Sequence, residues 1–461
     1  MKRKIFILVS FVSFAFLQNT GDEKNDNEIK IVRNNQNEVI KVYEGFGGGI
    51  GGNVGNQFYT YDGPGLFGYN NTTTVVFTAK YKTKENGDSY PLIGCKAVLA
   101  KVNNGGINYD CLSNDDILST TYSDNNGIVK FQINKSISSS GTNAVVCVYP
   151  DNGNVSIYSN LSLMDQYNFA QQVGSSNWAK KIIARYNLGT IYKPILVSYL
   201  PFTVKDGDYK IIGDITIDAH NPADYWSRCF YVGQSAIRAG EFTNQMFGYQ
   251  PSPINIFYGN CEYSYYNSVF DEIHIKEEES SSDFNAVMHE YGHYVQDIKD
   301  ILPFQPLTNK HSIEESTLNY TSNMDKARKL AWKEGWANAF AKIVQRYSKQ
   351  VGKAPADSAF GGTEFLDYCL DTSIITTNGN ADTYELVVAS CLWDLIDNEG
   401  IEGSLVDDET ISLSYKKWFE LVTNGDVENL GDFVNYLKNN YSDYNLSYSD
   451  VIGLLDANGI N

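Results

Sequence analysis

Between residues 72 and 160 the chain alternates apolar and polar positions. The runs "TTTVVFTAKYK", "KAVLAKV", "GIVKFQI" and "NAVVCVYP" are rich in β-branched and aromatic residues, and Gly, Asn and Asp turns separate them. Side chains of a strand point to opposite faces in turn, so a period of two predicts half-buried β-strands here. From 161 to 280 the pattern is mixed. "YKIIGDITID", "PINIFYG" and "DEIHIK" predict strands, whereas "ADYWSRCFYVGQSAIRAGEFTNQMFG" has helical periodicity with Phe230, Val232, Ile237 and Phe242 on the buried side. After Ser280 the period becomes helical, predicting helices over about 283–298, 323–349 and 382–398 and shorter ones to the end. Strands first and helices after predict an α+β catalytic unit over 161–461, with a strand-rich part (161–280) and a helical part (281–461).

The stretch 71–160 resembles the small β-sandwich modules of secreted proteins, which serve as spacers or binding units. Ahead of it, 21–70 reads as a flexible segment. Its run "GFGGGIGGNVGN" lacks a following G-K-S/T and a surrounding βαβ pattern, so it predicts a linker and not a phosphate loop. Residues 1–20 read as a signal peptide. Lys2, Arg3 and Lys4 precede an apolar run from Ile5 to Leu17, which is short for a bilayer span and suits an export signal. No A-x-A pattern marks the cleavage point, and a retained anchor is the alternative. The expected location is secreted or cell surface, with no integral membrane domain beyond the signal segment.

Composition narrows the classes. The 461 residues suggest two or three domains, and 42% hydrophobic with 13% aromatic residues can build cores. The net charge of -19, with no Lys/Arg cluster beyond the N-terminus, excludes a nucleic-acid groove. Seven Cys with no C-x-x-C pair give neither a disulfide framework nor a thiolate zinc site.

The chemistry centres on "NAVMHEYGHYVQD", Asn285 to Asp297. A helix turns about 100° per residue, so His289 and His293, four apart, reach one ion from the same face. Glu290 lies beside the first imidazole, placed to take a proton from a metal-activated water. The chain has five His, so this motif arises by chance on the order of once in several hundred such chains. Gly292 costs a helix roughly 1 kcal/mol relative to Ala, which close approach of another backbone would explain. A catalytic zinc needs a third protein ligand. The metzincin spacing puts a His at position 299, which is Lys299. Glu314, Glu315 and Glu334 are the downstream candidates. The first two sit among polar residues and read as a solvated face. Glu334 lies beside Trp332, Trp336, Ala337 and Phe340, where a carboxylate is costly unless paired or metal-bound.

HEYGH followed by a helix carrying EGWAN resembles the gluzincin metallopeptidases, whose third zinc ligand is a Glu on the next long helix. The resemblance covers roughly 200–460, and these two motifs are its specific parts. It implies a zincin-like catalytic domain (a mixed sheet followed by helices), Zn2+ held by His289, His293 and Glu334, Glu290 as general base, and a protein or peptide substrate. "VVASCLWDLID", Val387 to Asp397, is similar to a downstream helix of the same group. The chain departs from the family twice. Asn338 stands where an Asp often receives the N–H of a zinc-bound His, and the G-x-M-E-N loop that grips a free amino terminus is absent, which favours internal cleavage.

Tyr384, at the start of "TYELVVAS", is the candidate oxyanion donor, with His311 the weaker one. "DEIHIK" is expected to be an edge strand able to pair with an extended substrate, its His274 being structural. Two functions are therefore in view: a secreted zinc endopeptidase, or a degenerate metallopeptidase-like surface or adhesion protein that binds a ligand through its β-module. The intact Glu290 favours the first.

Overall fold

The computed structural model describes residues 30–33, 39–43, 72–82, 89–102, 116–133, 137–159, 180–188, 191–198, 202–218, 225–259, 261–276, 284–301, 315–351, 380–396, 411–423, 427–458 and 460. The chain divides into two units, Met1–Gly68 and Tyr69–Asn461. The expected signal peptide and the Gly-rich run from Gly45 to Asn56 lie outside the described residues. In the first unit β1 (Lys30–Arg33) pairs antiparallel with β2 (Val39–Tyr43).

The second unit holds fourteen further described strands and seven α-helices. In order they are β3 (Thr73–Lys82), β4 (Ser89–Pro91), β5 (Lys96–Lys101), β6 (Ile117–Tyr122), β7 (Ile128–Ile133), β8 (Thr142–Val148) and β9 (Val155–Ser159). Then come β10 (Lys180–Leu188), β11 (Ile191–Ser198), β12 (Phe202–Val204), β13 (Tyr209–Asp218), α1 (Tyr225–Phe247), β14 (Ile254–Gly259), β15 (Tyr265–Asn267) and β16 (Glu272–Lys276). The helices that follow are α2 (Phe284–Ile298), α3 (Met324–Gln350), α4 (Glu385–Trp393), α5 (Tyr415–Val422), α6 (Leu430–Asn440) and α7 (Tyr448–Ala457).

Period-two alternation places the core. Val75, Phe77 and Ala79 of β3, with Val129 and Phe131 of β7, face Ala97, Leu99, Val146 and Val148 of β5 and β8 in one buried cluster. The cluster runs on through Ile256, Ile273 and Ile275 to the helices. Val98, Ala100, Val145 and Cys147 form a second cluster from the alternate positions of β5 and β8, so these strands are buried on both faces.

The separate β-sandwich expected over 71–160 does not close on itself. Two sheets do share a core, but each is completed by strands from beyond residue 160. β13 lies parallel along β3 from Tyr209↔Thr74 to Asp218↔Lys82. β9 pairs parallel with β14, and the ten-stranded sheet runs β15-β16-β14-β9-β11-β8-β5-β6, with β10 on β11 and β12 on β8. The physical reason is that a strand's open hydrogen-bonding edge accepts any strand of fitting register, however far along the chain.

The "DEIHIK" expectation is corrected in the same way. β16 lies between β14 and β15, so it is an inner strand at Glu272–His274. The His274 ring stacks between Phe257 (5.1 Å) and Tyr265 (4.5 Å), a packing role. Burial holds its imidazole below the ordinary range, against the opposing pull of Glu272. On α1, Phe230, Val232, Ile237 and Phe242 are all buried. No disulfide joins the described cysteines, Cys95, Cys147, Cys229, Cys261 and Cys391. Among the described residues no helix is long and apolar enough to cross a membrane.

Candidate metal centre

Two helices build the centre. In α2 the apolar residues Val287, Met288, Tyr291, Tyr294 and Val295 are buried, a stripe at helical spacing. The helix ends one turn after its second histidine. Asp300 takes a left-handed conformation (φ 57°), and Ile301 N–H closes back onto the Gln296 carbonyl at 2.9 Å, as helix C-termini commonly do. In α3 the Asn323 side chain caps the N-terminus by accepting from Lys326 N–H (3.1 Å), with Asp325 in the first turn and Lys349 in the last, both favourable to the helix dipole. Its centre, from Ala331 to Ala337, is almost wholly buried.

Two glycines let the helices close up. A Cβ at Gly292 would lie 3.1 Å from the Ala337 Cα of α3 and 3.2 Å from Phe340. The close backbone approach expected from the sequence is therefore present. A Cβ at Gly335 would meet the Glu385 carbonyl oxygen and Val388 Cβ of α4, both at 2.5 Å. The "VVASCLWDLID" segment thus has a packing role: α4 is buried from Glu385 to Trp393 and backs the helix that carries Glu334.

The crossing of α2 and α3 brings three donors together. Glu334 Oε2 lies 3.1 Å from His289 Nε2 and 2.9 Å from His293 Nε2, and the two Nε2 atoms are 3.1 Å apart. Both His293 and Glu334 are only 4% exposed, and His289 is half-buried. The outer ring nitrogens are also taken. His289 Nδ1 is 2.8 Å from Asn338 Oδ1. His293 Nδ1 is 2.8 Å from Gln296 Oε1, while the same amide donates its Nε2 to the Lys333 carbonyl at 3.1 Å, which fixes which way Gln296 faces.

Facing amide oxygens, both Nδ1 atoms are set to carry the ring protons. With Nδ1–H donating outward on both rings, each Nε2 points its lone pair inward. Two lone pairs and a carboxylate oxygen then converge, the donor set that a cation takes. A tetrahedral zinc with bonds of about 2.0–2.1 Å separates its ligands by about 3.3 Å. The observed 2.9–3.1 Å edges fit that set. Within the described residues this is the His/Cys/Asp/Glu group that could hold a metal ion.

The other residues named from the sequence fall as follows. Glu290 is 7% exposed on α2, and no hydrogen bond or ion pair engages its carboxylate among the described residues. Tyr384 is the residue that caps α4 and forms an isolated bridge with Ser316; no hydrogen bond joins it to the three donors among the described residues. Glu315 is exposed, accepts from Tyr320 Oη at 2.8 Å and is not in the group of three donors. Glu314 and His311 lie outside the described residues. Lys299, at the metzincin position, stands 4.1 Å above the Phe247 ring. Gln296 and Lys333 escaped the sequence reading. Gln296, three residues after His293 on one helix face, carried a usable spacing signal. Lys333 carried none.

Comparison with known proteins adds little beyond one match. No curated protein matches the chain. A 9R-lipoxygenase from Cyanothece is similar at 10% identity with a TM-score of 0.16, covering 40% of this chain and 25% of that one, so this chain spans about a quarter of that structure and the likeness carries no argument. Residues 246–451, which contain α2, α3 and α4, match the family model of the mycolysin C-terminal domain, and at the coarse level this supports a metallopeptidase family for that part of the chain.

Proposed function

We propose that the protein is a zinc-dependent metallopeptidase, an endopeptidase that acts outside the cytoplasm. The observation that carries this is the convergence of His289 Nε2, His293 Nε2 and Glu334 Oε2 beside the buried Glu290, whose carboxylate no described residue engages. Bound zinc would supply Lewis-acid polarisation and lower the pKa of water to about 7. Glu290 takes the proton of the attacking water on its carboxylate and passes it to the leaving amine. Asn338 and Gln296 hold the two imidazoles with Nε2 facing inward. Burial of Glu334 and His293 keeps bulk water from the ligand atoms, which strengthens their hold on a cation.

Endopeptidase action is supported by the absence of a G-x-M-E-N loop from the sequence. Export is supported by the basic and then apolar N-terminus. Tyr384 stays the candidate oxyanion donor from the sequence, with no bond to the centre to support it. A degenerate, ligand-binding protein would have no use for a buried carboxylate that no described residue engages, and Glu290 favours the enzyme.

Metal analysis and casein cleavage test the reading. The wild type should carry one zinc per chain and cleave. Glu290→Gln should keep the zinc and lose at least about a hundredfold in rate. A wild type that takes up no zinc, or a Glu290→Gln that cleaves as well as the parent, refutes the proposal.

A further inference from the structure

Glu334 has a second carboxylate oxygen, and its surroundings are as specific as those of the first. Oε2 faces the two imidazoles, while Oε1 lies 3.2 Å from Lys333 Nζ. Adjacent residues on a helix point about 100° apart and do not meet by default. Lys333 nonetheless reaches its neighbour, and its side chain is 20% exposed against 5% for Glu334. The backbone of the same residue serves the other side of the centre, since its carbonyl accepts from Gln296, which orients His293. The side chain and the main chain of Lys333 thus act on different donors, and a substitution separates them.

We infer that Lys333 is a positioning residue that holds Glu334 as a one-oxygen ligand and keeps a coordination position open for the reaction. This rests on the metal-site reading above. A free carboxylate can offer an ion both oxygens. An oxygen already paired with an ammonium is a poorer ligand, so Oε2 alone is presented. Three protein ligands and one open position is the catalytic arrangement of zinc, and a second carboxylate oxygen would crowd that position.

The sign of the effect on affinity distinguishes this role from a merely structural one. Lys333 is a cation beside a dication, so its charge opposes metal binding. It also competes for Glu334 in the metal-free protein. Both effects mean that removing the ammonium strengthens zinc binding, while a second carboxylate oxygen slows turnover.

The experiment compares the full-length wild type, Lys333→Met and Lys333→Arg. It reads the visible d–d spectrum of the cobalt(II)-substituted proteins, zinc affinity by competition with a chelating dye, and kcat and KM on a peptide. Lys333→Met should give a weaker, five-coordinate cobalt spectrum, hold zinc on the order of fivefold more tightly, and lose kcat with KM little changed. Lys333→Arg should restore the four-coordinate spectrum. If Lys333→Met does not fold by circular dichroism, Lys333→Ala takes its place. A wild-type cobalt spectrum in the neutral variant overturns the inference, whether zinc affinity falls or stays. So does a rise in KM with an unchanged spectrum, which would assign the ammonium to substrate. A wild type that binds neither cobalt nor zinc fails at the metallopeptidase reading itself, whereas the other two failures leave that reading standing.

Discussion

At Nδ1 both imidazoles meet an amide oxygen, Asn338 for His289 and Gln296 for His293. An amide fixes the tautomer and the ring angle but adds no negative charge to the ligand. Zinc affinity should respond accordingly. Gln296→Leu leaves His293 Nδ1–H without its acceptor and should weaken zinc about 10–100-fold, measured by chelator competition; an unchanged affinity would mean that the Gln296 bond is incidental. Asn338→Asp puts a charge behind His289 and should tighten zinc by about tenfold. Glu334 belongs to the same scale. Its burial was legible from the tryptophans around it, because a carboxylate among Trp332, Trp336 and Phe340 needs a partner. Which oxygen meets which partner was not legible, because that depends on side-chain torsions that no spacing encodes.

At the scale of elements, α3 is the plank on which α2 and α4 lie, and a glycine marks each crossing. Gly335→Ala would drive a Cβ to 2.5 Å from the Glu385 carbonyl, a backbone atom that cannot step aside. Its gain of about 1 kcal/mol in helix propensity should be outweighed by overpacking of about 1–3 kcal/mol, giving net destabilisation in urea melts. Gly292→Ala is milder. The contacts at 3.1–3.3 Å ask Ala337 and Phe340 to yield by a few tenths of an ångström. Stability should change by less than about 1 kcal/mol, yet zinc should bind more weakly because α2 carries two donors and α3 the third. A Gly292→Ala protein with unaltered zinc affinity would show that the interhelix distance does not set the site. The helices were legible as elements, since the apolar period lies within each segment. Their contact was announced only by Gly292, a residue that a lone helix would do better without.

At the scale of the whole chain, the proposed metal would join two segments 41 residues apart, His293 and Glu334, and should stabilise the fold as any ligand of the native state does. Zinc at a hundred times its dissociation constant contributes about 2.7 kcal/mol, so a chelator should lower Tm in calorimetry and added zinc should restore it. The sheets make a second prediction. A fragment beginning at residue 161 removes β3 to β9, leaving β13 without β3 and β14 without β9. Such a fragment should fail to fold by circular dichroism; a cooperative melt from it would restore the boundary at 160 that the sheet pairing removes.

Sequence alone determined what lies inside one element: the strands from their alternation, α2 and α3 from their period, and the pairing of His289 with His293, because four residues make about one helical turn. It pointed to Glu334 through the cost of burying a charge. Tertiary structure decided the rest. Period two says which face of a strand is buried but not which strand lies beside it, so β13 on β3 and β14 on β9 could not be read. Helical period places donors on a face but not against another helix. The roles of Gln296 and Lys333 arise where α2 crosses α3, and the packing of Gly292 on Ala337 fixes that crossing.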